Sequence, residues 1–163
     1  MVIALTIISC KKEVPNDKVV LTGEITNNRS DLKVNFWSGV LNKIIDIKSD
    51  GSLRDTLEVD NGVYYTFRYG YLEVPVYYTK GSKIHFKADG EQFLSTIQFS
   101  GDHAGFNNYL AYKAKKEYDA ISINFEFYGL NEEEVEDYLK NIQEDLLKKL
   151  KEVEGLTEDI RRK

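Results

Sequence analysis

The chain has 163 residues, of which 42% are hydrophobic and 12% aromatic, enough apolar side chains for a packed core. This composition excludes wholesale disorder, which requires low hydrophobicity and a high net charge. The formal net charge is −5, and the basic residues cluster only at the last three positions. Nucleic acid is therefore excluded as the expected partner, because neutralising phosphates requires clustered Lys and Arg.

The first predicted feature is a lipoprotein leader. Residues 2–8 are mostly apolar, and the four residues that end at Cys10, Ile-Ile-Ser-Cys, resemble a bacterial lipobox. The apolar run is at the lower limit for a secretory segment and lacks a basic start, so the signal peptide over 1–9 is expected to be incomplete. Two acyl chains on Cys10 would anchor the protein stably, which makes a membrane the expected partner.

An alternative interpretation of this segment stays open. Residues 1–9 would then form a first strand and Cys10 would be an ordinary buried residue, since Cys is among the most buried residue types. The polar stretch that follows favours lipid modification, because it is typical of a solvated tether over 10–18. We therefore expect a cell-envelope protein, facing the periplasm or lying at the outer-membrane surface.

Cys10 is also the single cysteine of the chain. An intrachain disulfide, a cysteine-based zinc site and dithiol redox chemistry are therefore excluded within these residues.

The region from 19 to 99 predicts about eight short strands. Its apolar residues recur mostly with period two, and Gly, Asn and Asp interrupt them at short intervals, as in meandering antiparallel strands. The predicted strands cover 19–26, 32–38, 41–48, 52–59, 63–69, 71–79, 83–88 and 95–99.

The predicted turns favour hairpins between these strands. Asp-Gly and Asn-Gly pairs within 49–51 and 60–62 suit turns that need positive φ. Pro75 lacks a donor for the strand ladder, so its strand is predicted to be an edge or bulged one. The predicted fold class is mainly β with C-terminal helices (α+β), with an antiparallel β-sandwich or open barrel over 19–101.

A helical segment is predicted from 102 to 163. Its first helix places an aromatic face, including Phe106 and Tyr109, against one end of the sheet. In the second helix, Asn131 can cap the first turn while Glu134 reaches back to it. Gly155 is predicted to end that helix, and a third helix just after it would be cut short at the end of the chain.

The second helix has a continuous apolar stripe and an opposite face of mixed charge. Such a charged face is typical of a solvated helix, and the alternative is a helix that docks a partner. The stripe consists of Val135, Tyr138, Leu139, Ile142, Leu146, Leu150 and Val153.

The order of these features resembles one known family. A Gly-containing turn at 80–84 follows Tyr77 and Tyr78, a Phe-x-Gly step lies at 97–101, and 107–110 reads Asn-Asn-Tyr-Leu. Together with the lipobox, this is similar to the N-terminal domain of bacterial thioredoxin-like (TlpA-like) thiol-disulfide reductase lipoproteins, over about residues 19–155. The resemblance implies a non-catalytic spacer or partner-docking module, normally followed by helices and a thioredoxin domain.

The chain departs from that family in lacking Cys-x-x-Cys, the motif that performs thiol–disulfide exchange. No redox residue can be transferred to it, and the thioredoxin-like domain would have to be missing or supplied by another envelope protein. The remaining sequence predicts no catalytic residue, cofactor or metal site. His85 and His103 have no partner at metal-binding spacing, and the glycines form no phosphate loop.

Two further side-chain groups contain residue types that are common at functional sites. Asp102 and His103 form a possible acid–base pair, although a turn with Asp102 capping a helix and His103 exposed is the favoured interpretation. Tyr64 and Arg68 point away from the predicted core face of their strand and, if exposed, suit a stacking platform. The alternative function is therefore a free-standing peptide- or glycan-binding envelope lipoprotein that uses this aromatic strand face.

Overall fold

The computed structural model describes residues 17–29, 31–38, 41–59, 63–120, 127–154 and 156. The strands are β1 Lys18–Thr26, β2 Val34–Ser38, β3 Leu41–Ile45, β4 Ser52–Glu58, β5 Val63–Tyr69, β6 Leu72–Tyr78, β7 Lys83–Asp89 and β8 Gln98–Gly101. The helices are α1 Phe93–Thr96, α2 Ala104–Tyr118 and α3 Glu132–Lys151, and a 3-10 turn at Phe127–Gly129 precedes α3. The predicted β-rich fold with C-terminal helices is confirmed.

The strands form two four-stranded sheets that pack as a sandwich and do not close into a barrel. The first sheet has the order β4-β1-β7-β8 and the second the order β3-β2-β5-β6. All pairings are antiparallel except that of β1 with β7, which is parallel and departs from the predicted meander. Pro75 lies in β6, an edge strand of the second sheet, as predicted.

The core lies between the sheets, where alternate residues of each strand point inward. Aromatic rings fill its centre: the Phe67 ring meets Phe36 edge-on at a centroid distance of 5.0 Å and Phe86 at 4.8 Å. Each ring is fully buried, and each such burial contributes about 1.5–3 kcal/mol. Gly23 faces Phe86 across the parallel pair, and a Cβ there would lie 2.2 Å from the ring, so this position requires glycine.

The predicted hairpin at 49–51 is wrong, because β3 and β4 belong to different sheets. The turn itself forms: Gly51 has φ 81°, and its N–H donates to Lys48 O at 2.9 Å. It carries the chain from one sheet to the other, and β4 then pairs with β1. Residues 60–62 lie outside the described residues, but β4 and β5, which they connect, also belong to different sheets.

The predicted strand at 95–99 is replaced in its first half by the short helix α1. The Asp89 side chain accepts hydrogen bonds from Glu91 N and Gln92 N and folds the chain back after β7. Phe93 and Leu94 are then both buried, which a strand with alternating faces would not allow. β8 consequently begins only at Gln98.

Helix α2 covers the two edge strands on one side of the sandwich. The Asn107 amide accepts a hydrogen bond from Tyr77 N at 2.8 Å and donates one to Tyr77 O at 3.2 Å, on β6. The Asn108 amide makes the same pair of bonds with Phe99 N and O on β8, at 2.7 and 2.9 Å. Two adjacent side chains thus satisfy backbone groups on the edges of both sheets.

On the opposite side a half-buried ion pair joins β3 to β4. Lys43 Nζ lies 2.7 Å from Asp55 Oδ1 and donates to Thr56 O at 2.9 Å. Thr56 N donates to Asp55 Oδ1 at 2.6 Å. Both backbone groups of Thr56 are therefore occupied, which protects this edge from pairing with another strand.

The helices follow their predicted signals in part. Asn131 and Glu134 form the predicted capping box at the start of α3. Phe106 is buried as predicted, but Asn107 is buried beside it, whereas Tyr109 is only half-buried. Helix α3 ends at Lys151, and Gly155 lies outside the described residues.

Replacing Asn107 with Leu is expected to lower the free energy of unfolding by roughly 2–4 kcal/mol. The isosteric side chain leaves Tyr77 N–H and C=O buried without partners, at about 1–3 kcal/mol each. Chemical denaturation measures the change. Asn141→Leu, at an exposed position of α3, is the matched control and is expected to change it by less than about 0.5 kcal/mol. Equal effects of the two substitutions would contradict the role of Asn107.

Candidate functional site

The predicted lipid-attachment residue, Cys10, lies outside the described residues. The described chain begins at Asp17, and β1 begins at Lys18, eight positions after Cys10. Asp17 lies beside Ser38 and Leu41 around one cleft, so the chain enters the sandwich at the end where β2 finishes and β3 begins.

The outward face of the second sheet is the main candidate surface. Phe36 and Phe67 are cross-strand partners whose side chains point into the core. Trp37 and Thr66, the residues next to them in sequence, are also cross-strand partners and therefore point outward. We call this surface the Trp37 face. Its residues are Asn35, Trp37, Asn42, Ile44, Tyr64, Thr66, Arg68, Glu73 and Pro75.

The two residues predicted for an interaction face, Tyr64 and Arg68, both lie on this surface. The Tyr64 ring is half-buried against Tyr77 and Phe106, at centroid distances of 5.6 and 6.1 Å. Burial raises the pKa of its phenol above the ordinary value, and Tyr77 adds a smaller effect. Arg68 donates from Nε to Glu73 Oε1 at 2.8 Å and also from Nη2 to that oxygen. The structure therefore places Tyr64 in an aromatic cluster and Arg68 in an ion pair.

The most exposed apolar side chains of the face are two that sequence reasoning missed, Trp37 and Ile44. Their exposed fractions are 46% and 59%. Trp37 lies between Asn42 and Thr66, its neighbours on the adjacent strands. The alternation of residues 34–38 carried the signal, because an inward Val34 and Phe36 require Trp37 to point outward.

Asn35 adds an unusual polar group to the same face. Its Oδ1 atom is shielded from solvent and accepts no hydrogen bond. Asn35 lies between Ile44 on β3 and Arg68 on β5. A buried acceptor without a donor destabilises a fold by about 1–3 kcal/mol, so this atom is a position where an additional donor would be favourable.

Asp102 and His103 have separate partners at the entry to α2. Asp102 Oδ2 accepts a hydrogen bond from Lys83 N at 2.7 Å, and His103 Nε2 lies 2.9 Å from Thr79 Oγ1. His103 is the N-cap residue, without a side-chain capping bond, and has φ 58° in the left-handed region. The expectations that Asp102 caps α2 and that His103 is exposed are therefore wrong, since His103 is half-buried.

The other histidine, His85, lies on the outer side of the first sheet. Its Nδ1 atom is 3.0 Å from Thr22 Oγ1. Among the described residues, no three His, Cys, Asp or Glu side chains are grouped so as to hold a metal ion.

Helix α3 presents a second candidate surface. None of its side chains is buried, and Leu139 and Leu147 of its apolar side are exposed by 50% and 48%. Its C-terminal part contacts the sandwich, because Leu150 and Val153 pack against the cluster around Phe106. The described helices include none that is long and apolar enough to cross a membrane.

A hydrogen bond and an ion pair connect the middle of α3 to α2. Asp145 Oδ2 accepts a hydrogen bond from the Tyr112 hydroxyl at 2.5 Å and lies 3.1 Å from Lys116 Nζ. These contacts lower the pKa of the Asp145 carboxyl below its ordinary value, and the hydrogen bond from Tyr112 has the largest effect. The same bond to Asp145 raises the pKa of the Tyr112 phenol.

Comparison with known proteins gives no family for this chain. No family model matches the sequence, and no curated protein matches it.

Acid is expected to loosen α3 from α2 through Asp145. Because its pKa is lower in the folded chain, its stabilising effect is complete above the ordinary carboxyl range and is lost as the pH falls through the folded pKa, below about pH 4. Amide exchange in α3, corrected for its intrinsic pH dependence, should then rise roughly two- to fivefold. Asp145→Asn should raise exchange at pH 7 and remove the acid response, whereas Asp137→Asn, at an exposed position of the same helix, should retain it. An unchanged acid response in Asp145→Asn would contradict this assignment.

Proposed function

We propose that the chain is a lipid-anchored cell-envelope domain of Gram-negative type. It acts as a non-catalytic spacer or partner-docking module ahead of a thioredoxin-like thiol–disulfide oxidoreductase. The observation that carries the docking role is helix α3, none of whose side chains is buried although the helix is 20 residues long.

The exposure of α3 supports docking for an energetic reason. Most helical stability in proteins comes from burying an amphipathic face, and α3 buries none of its side chains fully. Leu139 and Leu147 lie two turns apart on one side, half-exposed, with the half-buried Ile142 and Leu146 beside them. A following thioredoxin-like domain is the occupant proposed for this side, because the family resemblance places that domain after these helices.

The position of Cys10 supports a short anchor. Lys18 lies eight positions after Cys10, and an extended chain of that length spans at most about 30 Å. Lipid on Cys10 would therefore hold the sandwich close to the bilayer surface. The place of Asp17, beside Ser38 and Leu41, supports an orientation in which that end of the sandwich faces the membrane.

Incorporation of a labelled fatty acid tests the anchor. The chain expressed with its leader in a Gram-negative host should take up label and sediment with membranes, because Cys10 is its single thiol. Cys10→Ser should lose both properties, and Ser49→Ala, a substitution at an exposed turn, should keep them. Undiminished labelling of Cys10→Ser would refute lipid attachment at this residue.

The gene sequence beyond Lys163 tests the docking role. We expect an in-frame or frameshifted segment with Cys-x-x-Cys, and a two-domain protein in which amide exchange at α3 is slower than in the present chain. Leu139→Asn with Leu147→Asn should abolish that protection while changing the stability of the present chain by less than about 0.5 kcal/mol per site.

The matched control pair is Lys140→Asn with Lys148→Asn, one position further along the same helix, where both side chains are exposed. This pair should leave the protection of α3 intact. A downstream region without Cys-x-x-Cys would contradict the proposed position ahead of a reductase, and equal loss of protection in both pairs would contradict docking through the apolar side.

A further inference from the structure

We propose that the Trp37 face is a binding site for an uncharged saccharide chain. The site is centred on Trp37 and bordered by Asn42, Thr66 and Asn35. This inference goes beyond the anchoring and docking roles, since it depends on a different surface from helix α3.

The Trp37 ring supplies the first half of the chemistry. It is 46% exposed on β2, an inner strand of its sheet, with strands on both sides of it. An indole presents a flat apolar surface and one N–H donor. The apolar side of a sugar ring, with its C–H groups, is a flat partner of similar size, and stacking on Trp37 would remove both surfaces from water.

The neighbours of Trp37 supply the second half, because they are polar. Asn42 is exposed and Thr66 is half-buried, and they are the cross-strand neighbours of Trp37 on either side. Amides and hydroxyls both donate and accept hydrogen bonds, as sugar hydroxyls do. Directly paired side chains lie about 4.5–5.5 Å apart, so groups at Asn42 and Thr66 can reach the edge of a ring stacked on Trp37.

Asn35 is an independent indication of a ligand at this face. Its Oδ1 atom is without a donor, two residues before Trp37 on the same strand and face. A hydroxyl that enters between Ile44 and Arg68 would supply the missing donor. The Ile44 side chain on one side of this position is 59% exposed.

The charges of the face favour an uncharged ligand. Arg68 and Glu73, which carry the charges of this surface, are paired with each other. An anionic polymer would have to compete with Glu73 for Arg68, and no basic cluster is present on the face to attract phosphates. A protein interface core, in contrast, is contiguous and apolar, whereas the side chains next to Trp37 are an amide and a hydroxyl.

The size of the face favours a chain over a single sugar. Phe106 of α2 packs against its β6 end, so its open part spans β3, β2 and β5, where two spacings of about 4.8 Å give a width of about 10 Å. That width exceeds one sugar ring. We therefore expect affinity to rise with saccharide length up to a few units.

The fluorescence of Trp37 provides a direct test, because it is the single tryptophan of the chain. The full chain is titrated with cellohexaose, laminarihexaose, maltohexaose and mannohexaose. At least one is expected to give a saturable change in emission below about 1 mM, as suits one stacked ring and a few hydrogen bonds. A hexamer of galacturonic acid and an uncharged extended peptide serve as comparison probes.

Variants measured by calorimetry locate the binding. Trp37→Ala is expected to weaken saccharide binding at least about tenfold, Trp37→Phe to retain part of it, and Asn42→Ala to weaken it about fivefold. Tyr71→Ala removes an aromatic side chain that is 79% exposed and lies outside the face, and should leave the affinity unchanged. Circular dichroism confirms that each variant is folded.

Four results would overturn the proposal. These are no response to any of the neutral hexamers, equal binding of the galacturonic acid hexamer or the peptide, unchanged affinity in the folded Trp37→Ala variant, and Trp37 emission that becomes shielded as protein concentration rises without saccharide. The last result would mean that a second copy of the chain covers the face.

Discussion

The hydrogen bonds of the buried Asn107 amide and the half-buried Asn108 amide are the interaction on which the rest of this structure depends. A sandwich of two four-stranded sheets has four edges, and β6 and β8 are the two that α2 crosses. The amides form paired hydrogen bonds with Tyr77 and Phe99, so one helix holds one edge of each sheet. An edge covered by apolar helix residues alone would leave buried N–H and C=O groups without partners. The amides allow α2 to pack there, and the position of α2 in turn decides where α3 can attach.

This arrangement separates the surfaces that remain available for binding. The Trp37 face includes Tyr64, which lies next to Tyr77 on β6, but the Phe106 ring of α2 packs against both of these tyrosines. The open part of the face is therefore displaced toward β2 and β3, where Trp37 and Ile44 are exposed. Helix α3 is attached to α2 by Asp145 and to the cluster around Phe106 by Leu150, and its Leu139 and Leu147 side chains stay exposed. The packing of α2 thus leaves two distinct surfaces with different chemistry, the open part of the Trp37 face and helix α3.

The strands were predictable from the sequence because alternation is a local property, and each predicted strand overlaps an observed one. The sheet to which each strand belongs was not predictable. A turn at 49–51 that places Gly51 at positive φ can lead into a crossover between sheets as well as into a hairpin. The hydrogen bonds of the Asn107 amide were not predictable either, because they join it to backbone groups 30 positions away in the sequence. The outward direction of Trp37 was predictable from the alternation of β2. Tyr64 was instead predicted to be part of a binding face because many aromatic residues lie near it in the sequence. Its burial by Phe106 depends on the path of α2, which period and turn signals do not encode.

The position of the chain entry relates the anchor to the Trp37 face. Asp17 borders the same cleft as Ser38, the residue after Trp37, so both lie at one end of the sandwich. With lipid on Cys10, a tether of at most about 30 Å would keep that end toward the bilayer. Trp37 is one residue from Ser38, about 3.3 Å along the strand, so in that arrangement it would also lie toward the bilayer. A ligand of this face would then have to be present at the membrane surface, which restricts it to saccharides carried on the envelope or delivered close to it.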